Sequence, residues 1–166
     1  RLAGTALFGA AVMAGLLFGG RQQLTIINAS TVLATAADRA GLAWLAENTP
    51  PDARIAVNSW RWLGNTWAAA DGGAWIVPLT GRRATTPPAD YVYDRALYAQ
   101  VNAFNAAAAA VEDWSAPAAG RWLAEQGVTH LYVGPKGGFF DPAALARNPT
   151  LRQVYGRDGV FIFEAP

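Results

Sequence analysis

Residues 35–58, TAADRAGLAWLAENTPPDARIAVN, decide the fold class. Thr35 or Asp38 can cap a helix that runs to Asn48, and Pro50-Pro51 stops it, because proline has no N–H and a fixed φ. Trp44 and Leu45 are its expected core-facing side chains. After the Pro-Pro-Asp turn, Arg54–Asn58 (RIAVN) has the β-branched, apolar character of a buried strand. Helix, short turn and strand in that order are the grammar of an α/β domain.

Upstream lies Leu2–Gly20, LAGTALFGAAVMAGLLFGG, an uncharged apolar run between Arg1 and Arg21. As a helix it covers roughly 27–28 Å, close to the roughly 30 Å of bilayer hydrocarbon. The sequence therefore predicts a transmembrane helix over 1–21, an interfacial linker over 22–37 and an extracytoplasmic α/β domain over 38–166. Ala11, Gly15 and Gly19 recur every four residues, a spacing that lets other helices pack closely in lipid, although alanine and glycine are abundant throughout. Ala34-Thr35-Ala36 has the form of a signal-peptidase site, but it lies about 15 residues beyond an apolar core longer than the usual ~7–15. With Arg1 in first place rather than methionine, the run is expected to be the last helix of a longer protein. The Thr, Ile and Val of residues 24–33 (LTIINASTVL) favour an extended path along the headgroups.

Downstream, Ala74–Leu79 (AWIVPL) reads as a strand that Pro78 confines to an edge or an end. Arg82–Pro88 reads as a loop, and Asp94 caps a helix reaching Val111 whose alanine run marks close packing. Ser115 and Pro117 open another helix, with Trp122 and Leu123 toward the core and Gly127 at its end. Val128–Val133 (VTHLYV) is expected to be central and parallel to 54–58, since a helical connection separates the two. Asp141-Pro142 starts a short helix. Residues 151–164, LRQVYGRDGVFIFE, form a hairpin turning at Asp158-Gly159. The expected architecture is a small three-layer α/β, Rossmann-like domain with a mostly parallel sheet and a C-terminal hairpin.

Composition excludes several chemistries. A formal charge of +1 over 166 residues, without basic runs, gives no electrostatic footprint for nucleic acid. The chain has no cysteine, which removes thiol nucleophiles, disulfides and thiolate metal sites, and its single histidine, His130, rules out the usual zinc spacings. His130 falls within a strand, where a packed role is expected, and no serine–histidine–acid set can be assembled around it. Glu112 and Asp113 are adjacent and point apart. No catalytic residue and no metal ligand are assigned.

In open α/β sheets ligands bind beyond the carboxyl ends of the strands, which here means Asn58–Gly73 and Gly134–Gly138. The first segment and its sequel carry Asn58, Trp60, Trp62, Trp67, Asp71 and Trp75. Tryptophan stacks on the C–H faces of sugars while Asn and Asp bind hydroxyls, so the mixture suits a saccharide; the same tryptophans also suit a core or a membrane interface. Arg61, Arg82, Arg83 and Lys136 are candidates for a lipid phosphate or for anionic headgroups. GPKGG (134–138) lacks the spacing of a P-loop, so a nucleotide is not expected.

The segments ADRAGLAWLAENTPPDARIAVNS (37–59), AAADGGAWIVPLTGRRATTPP (68–88) and LRQVYGRDGVFIFE (151–164), in that order, resemble the carboxyl-terminal region of bacterial polytopic membrane glycosyltransferases of the GT-C type. The resemblance implies a transferase of the bacterial cytoplasmic membrane that uses a polyprenyl-phosphate-linked sugar, with many helices before Arg1 and this domain on the outer side. It also implies that the catalytic Asp or Glu lies in an earlier loop, so this region supplies acceptor or donor contacts or structural support. Its partners would be the bilayer, the preceding helices and a lipid-linked sugar or glycan acceptor; any divalent metal would belong to the full-length enzyme. Two other readings stay open. One is a single-helix anchored extracytoplasmic binding domain without enzymatic activity; the other is a purely structural tail with a buried tryptophan loop.

Overall fold

The computed structural model describes residues 2–24 and 32–166, and the chain divides into two units, 1–32 and 33–166. The first unit is α1 (Leu2–Gln23), longer at its end than expected because Arg21, Gln22 and Gln23 are good helix formers. Leu7, Phe8, Leu16, Leu17 and Phe18 are all exposed, so the helix offers apolar surface in several directions rather than along one stripe. Among the described residues it is the one helix long and apolar enough to cross a membrane, with a mean hydropathy of 1.6. Most of the expected extended linker, residues 25–31, lies outside the described residues.

The second unit is α/β. Helix α2 (Ala36–Asn48) opens with both anticipated caps in one capping box: Thr35 Oγ1 accepts from the Asp38 amide, and Asp38 Oδ2 accepts from the Thr35 amide at 2.7 Å. It leads to β1 (Arg54–Val57), then to a small antiparallel ribbon of β2 (Ser59–Arg61) and β3 (Trp67–Ala69). A 3₁₀ turn at Asp71–Trp75 and α3 (Ile76–Thr80) follow, and then the two-residue β4 (Arg83–Ala84). A second 3₁₀ turn, Ala89–Tyr93, precedes α4 (Arg95–Ala109), capped by Asp94 as expected. The remainder comprises α5 (Pro117–Glu125), β5 (His130–Val133), α6 (Pro142–Arg147), β6 (Arg152–Arg157) and β7 (Val160–Glu164).

The five-stranded sheet has the order β4-β1-β5-β7-β6. β1 runs parallel to β4 and to β5, which is central as its sequence suggested, and the antiparallel hairpin β6–β7 completes the sheet beside β5. The hairpin turns at Asp158 and Gly159, both with positive φ (51° and 81°), as a two-residue turn matched to strand twist requires.

Successive strand residues alternate between two cores. Ile55, Val57, Tyr132 and Ile162 pack with Leu42 and Leu45 of α2 and Ile76 of α3. Ala56, Leu131, Val133 and Phe163 pack on the other face with Phe104 of α4, Leu123 of α5 and Leu145 of α6. Helices therefore cover both faces of the sheet, which gives the three layers.

One expected element is corrected. Residues 74–79 are not a strand; they end a 3₁₀ turn and enter α3. The position beside β1 is taken by β4, which residues 82–88 supply in place of the expected loop. Pro78 falls in the first turn of α3, where its missing N–H has no intrahelical partner to lose, and Ile76 and Thr80 share the buried side of that helix. The Trp-rich stretch after Asn58, read only as a connection, is the β2–β3 ribbon.

Candidate functional site

The segments 58–73 and 134–138 do converge at the carboxyl ends of β1 and β5, but Asn58 and Asp71 bind the protein itself. Asn58 is 1% exposed; its Oδ1 accepts from the Phe140 amide at 2.7 Å and its Nδ2 donates to the Phe140 carbonyl at 3.2 Å. One side chain thus latches the segment after β5 to the end of β1. It presents no atom to a ligand.

Asp71 is equally enclosed, 1% exposed, with the left-handed φ of 47° that Asn and Asp tolerate best. Its Oδ1 accepts from the Gly73 amide at 3.1 Å, whereas Oδ2 is buried without a hydrogen-bond partner. Gly134 lies directly against this carboxylate; a Cβ there would overlap Asp71 Cγ and both its oxygens, so the contact requires glycine. Burial pushes the carboxyl up to about 7, with the Asp38 charge adding to it and the Gly73 and Gly134 amides and Lys136 opposing.

Two residues that the sequence analysis assigned no functional role complete the cluster. Asp38, fully buried, accepts through Oδ1 from the Tyr132 hydroxyl at 2.7 Å and from the Gly72 amide at 3.3 Å. Burial and that bond to Asp38 raise the Tyr132 phenol well above its ordinary value. A capping aspartate in an α/β entry helix was legible, but its second role, reaching across to β5, depends on packing that the local pattern does not encode.

The basic candidates separate. Arg82 donates from Nη2 to the carbonyls of Ala46 and Thr49 and from Nη1 to that of Thr80, each at 2.7 Å, and so binds carbonyls at the ends of α2 and α3 rather than a phosphate. Arg82→Ala is expected to destabilise the chain by about 2 kcal/mol, the range for bonds from a charged donor, read as a lower urea midpoint at constant slope. Arg83 pairs in register with Arg54 at the amino end of β1, the opposite end of the sheet from Lys136. Lys136 is exposed in the loop after β5, and Arg61 lies over the Trp67 ring at 5.1 Å. Arg82 and Arg83 therefore do not join Lys136 and Arg61 in one anion site.

The tryptophans also divide. Trp67 is buried with Tyr91 and Val101, and its amide and carbonyl both bond the Tyr91 hydroxyl. Trp60 and Trp62 are 49% and 50% exposed, two residues apart on one side of the β2–β3 ribbon, with exposed Leu63 following them. Arg61 and Trp67 form a register pair on the other side. Trp75 is exposed at the end of the 3₁₀ turn that leads into α3, away from this ribbon in sequence. The open tryptophan pair contradicts the expectation of a wholly buried tryptophan loop.

His130 is 7% exposed at the amino end of β5, and burial holds its imidazole below its ordinary value. Among the described residues no three His, Asp or Glu side chains come together as a metal group. No family model, no curated protein and no solved structure matches the chain.

Proposed function

We propose that the chain is the carboxyl-terminal part of a membrane glycosyltransferase using a polyprenyl-phosphate-linked sugar, and that its extracytoplasmic α/β domain holds the glycan acceptor rather than performing the chemistry. The observation that carries the acceptor role is the half-exposed pair Trp60 and Trp62 on the open side of a ribbon rooted at the carboxyl end of β1. Two half-exposed indoles at two-residue spacing offer stacking surface to successive sugar rings. The enclosed state of Asn58 and Asp71 and the engagement of Arg82 with backbone carbonyls support a domain without a reacting centre, and the apolar α1 supports attachment to the bacterial cytoplasmic membrane. The order of segments resembling the GT-C carboxyl-terminal region supports the reaction class.

The test uses the full-length gene product in its membranes. The Trp60→Ala, Trp62→Ala double variant is expected to raise KM for the acceptor by roughly tenfold or more, at about 0.5–1.5 kcal/mol per stacked ring, with kcat little changed. Unchanged transfer sinks the acceptor role. A product with a single spanning helix and no transfer activity replaces the enzyme with an anchored binding domain.

A further inference from the structure

We propose that the outer face of α3, with the groove beside it, seats in the headgroup zone of a lipid bilayer, holding the α/β domain against the membrane surface. This rests on the membrane reading of α1 and is independent of any glycosyl transfer. Trp75, the last residue of the 3₁₀ turn, and Leu79 of α3 are 46% and 58% exposed and four residues apart, while Ile76 and Thr80 of α3 are buried. The turn and the short helix it leads into are therefore amphipathic in place, with an indole and a leucine outermost. A groove of about 400 Å³ separates them from the start of α2, where Ala34, Ala36 and Arg39 form its other wall.

Three observations favour lipid as the occupant. The chain from the end of α1 at Gln23 to Ala34 is eleven residues long, and extended it reaches at most roughly 40 Å. The groove edge at Ala34 and the apolar helix are thus joined by a short covalent connection. Tryptophan beside leucine matches the interface, where an indole sits at headgroup depth with its N–H hydrated. Arg39 on the same wall is exposed and has no ion pair among the described residues, so its guanidinium can meet a lipid phosphate.

The chain contains no cysteine, so a single introduced one reports its own position. Leu79→Cys and, as a reference on the exposed β6–β7 turn, Asp158→Cys are each labelled with a nitroxide in the full chain reconstituted into mixed phosphatidylcholine–phosphatidylglycerol vesicles. The expected result is loss of accessibility to a water-soluble nickel chelate at position 79 with oxygen accessibility kept, and full nickel accessibility at 158. Trp75→Cys repeats the measurement on the same face should Leu79→Cys fold poorly. Equal nickel accessibility at 79 and 158 overturns the proposal. Shielding at 79 from oxygen and nickel alike also overturns it, because a protein surface rather than lipid would then cover α3.

Discussion

The Asp71→Asn chain is expected to be more stable than the parent at pH 8 by as much as about 4 kcal/mol, and to lose that advantage as the pH falls toward 4. The folded state holds this carboxyl's proton up to about pH 7, whereas the unfolded chain releases it near the ordinary 3.8. Between those values the folded state binds more protons, so stability falls as pH rises, by about 1.4 kcal/mol per pH unit over roughly three units. Above pH 7 the full cost of an ionised, buried carboxylate remains. Asn cannot titrate, and it adopts the left-handed φ of 47° at least as readily as Asp. His130 works in the opposite sense: its lowered value removes stability as pH falls below about 6.5. Since His130 is common to both chains, the difference between them isolates Asp71. Urea unfolding of the full chain in nanodiscs across pH 4–8 makes the comparison. Parallel pH profiles for the two chains would show that Asp71 is not the titrating group.

Asn58→Ala is expected to cost about 4 kcal/mol and to loosen the segment after β5. The side chain is the hydrogen-bond partner of both the amide and the carbonyl of Phe140, which is itself fully buried, so water cannot replace the lost bonds. Two orphaned backbone groups at about 1–3 kcal/mol each give the magnitude. The local consequence is faster hydrogen exchange at the Phe140 amide than at amides of β5, while the β6–β7 hairpin keeps its protection. Exchange at Phe140 as slow as in the parent would mean that the latch is held by packing alone.

The residues for which the sequence suggested ligand contacts were chosen for the right place in the fold and often for the wrong duty. Asn58 and Asp71 do stand at the carboxyl ends of the strands, yet both are enclosed by the segments that follow β5. Arg82 is conspicuous as a paired arginine in a loop, but its guanidinium spans the last turn of α2 and the end of α3. Of the four candidate tryptophans, Trp60, Trp62 and Trp75 stay open while Trp67 is buried, and a single-residue offset along the ribbon separates Arg61 from the open pair.

By itself the sequence determined what short-range rules control: the apolar helix over 2–20, a cap at Thr35 or Asp38, the strands at β1 and β5, the Asp94 and Asp141 caps, and the Asp158-Gly159 hairpin. Each follows from a residue's own dihedral preferences, from side-chain bonds three or four positions away, or from an apolar period. The tertiary structure alone decided which strand lies beside β1, and so turned 74–79 from strand to helix. It alone joined Asp38 to Tyr132 and set Asp71 under Gly134. Those outcomes depend on competition for one sheet edge and on atoms brought together from sequence separations of dozens of residues, which no local pattern carries.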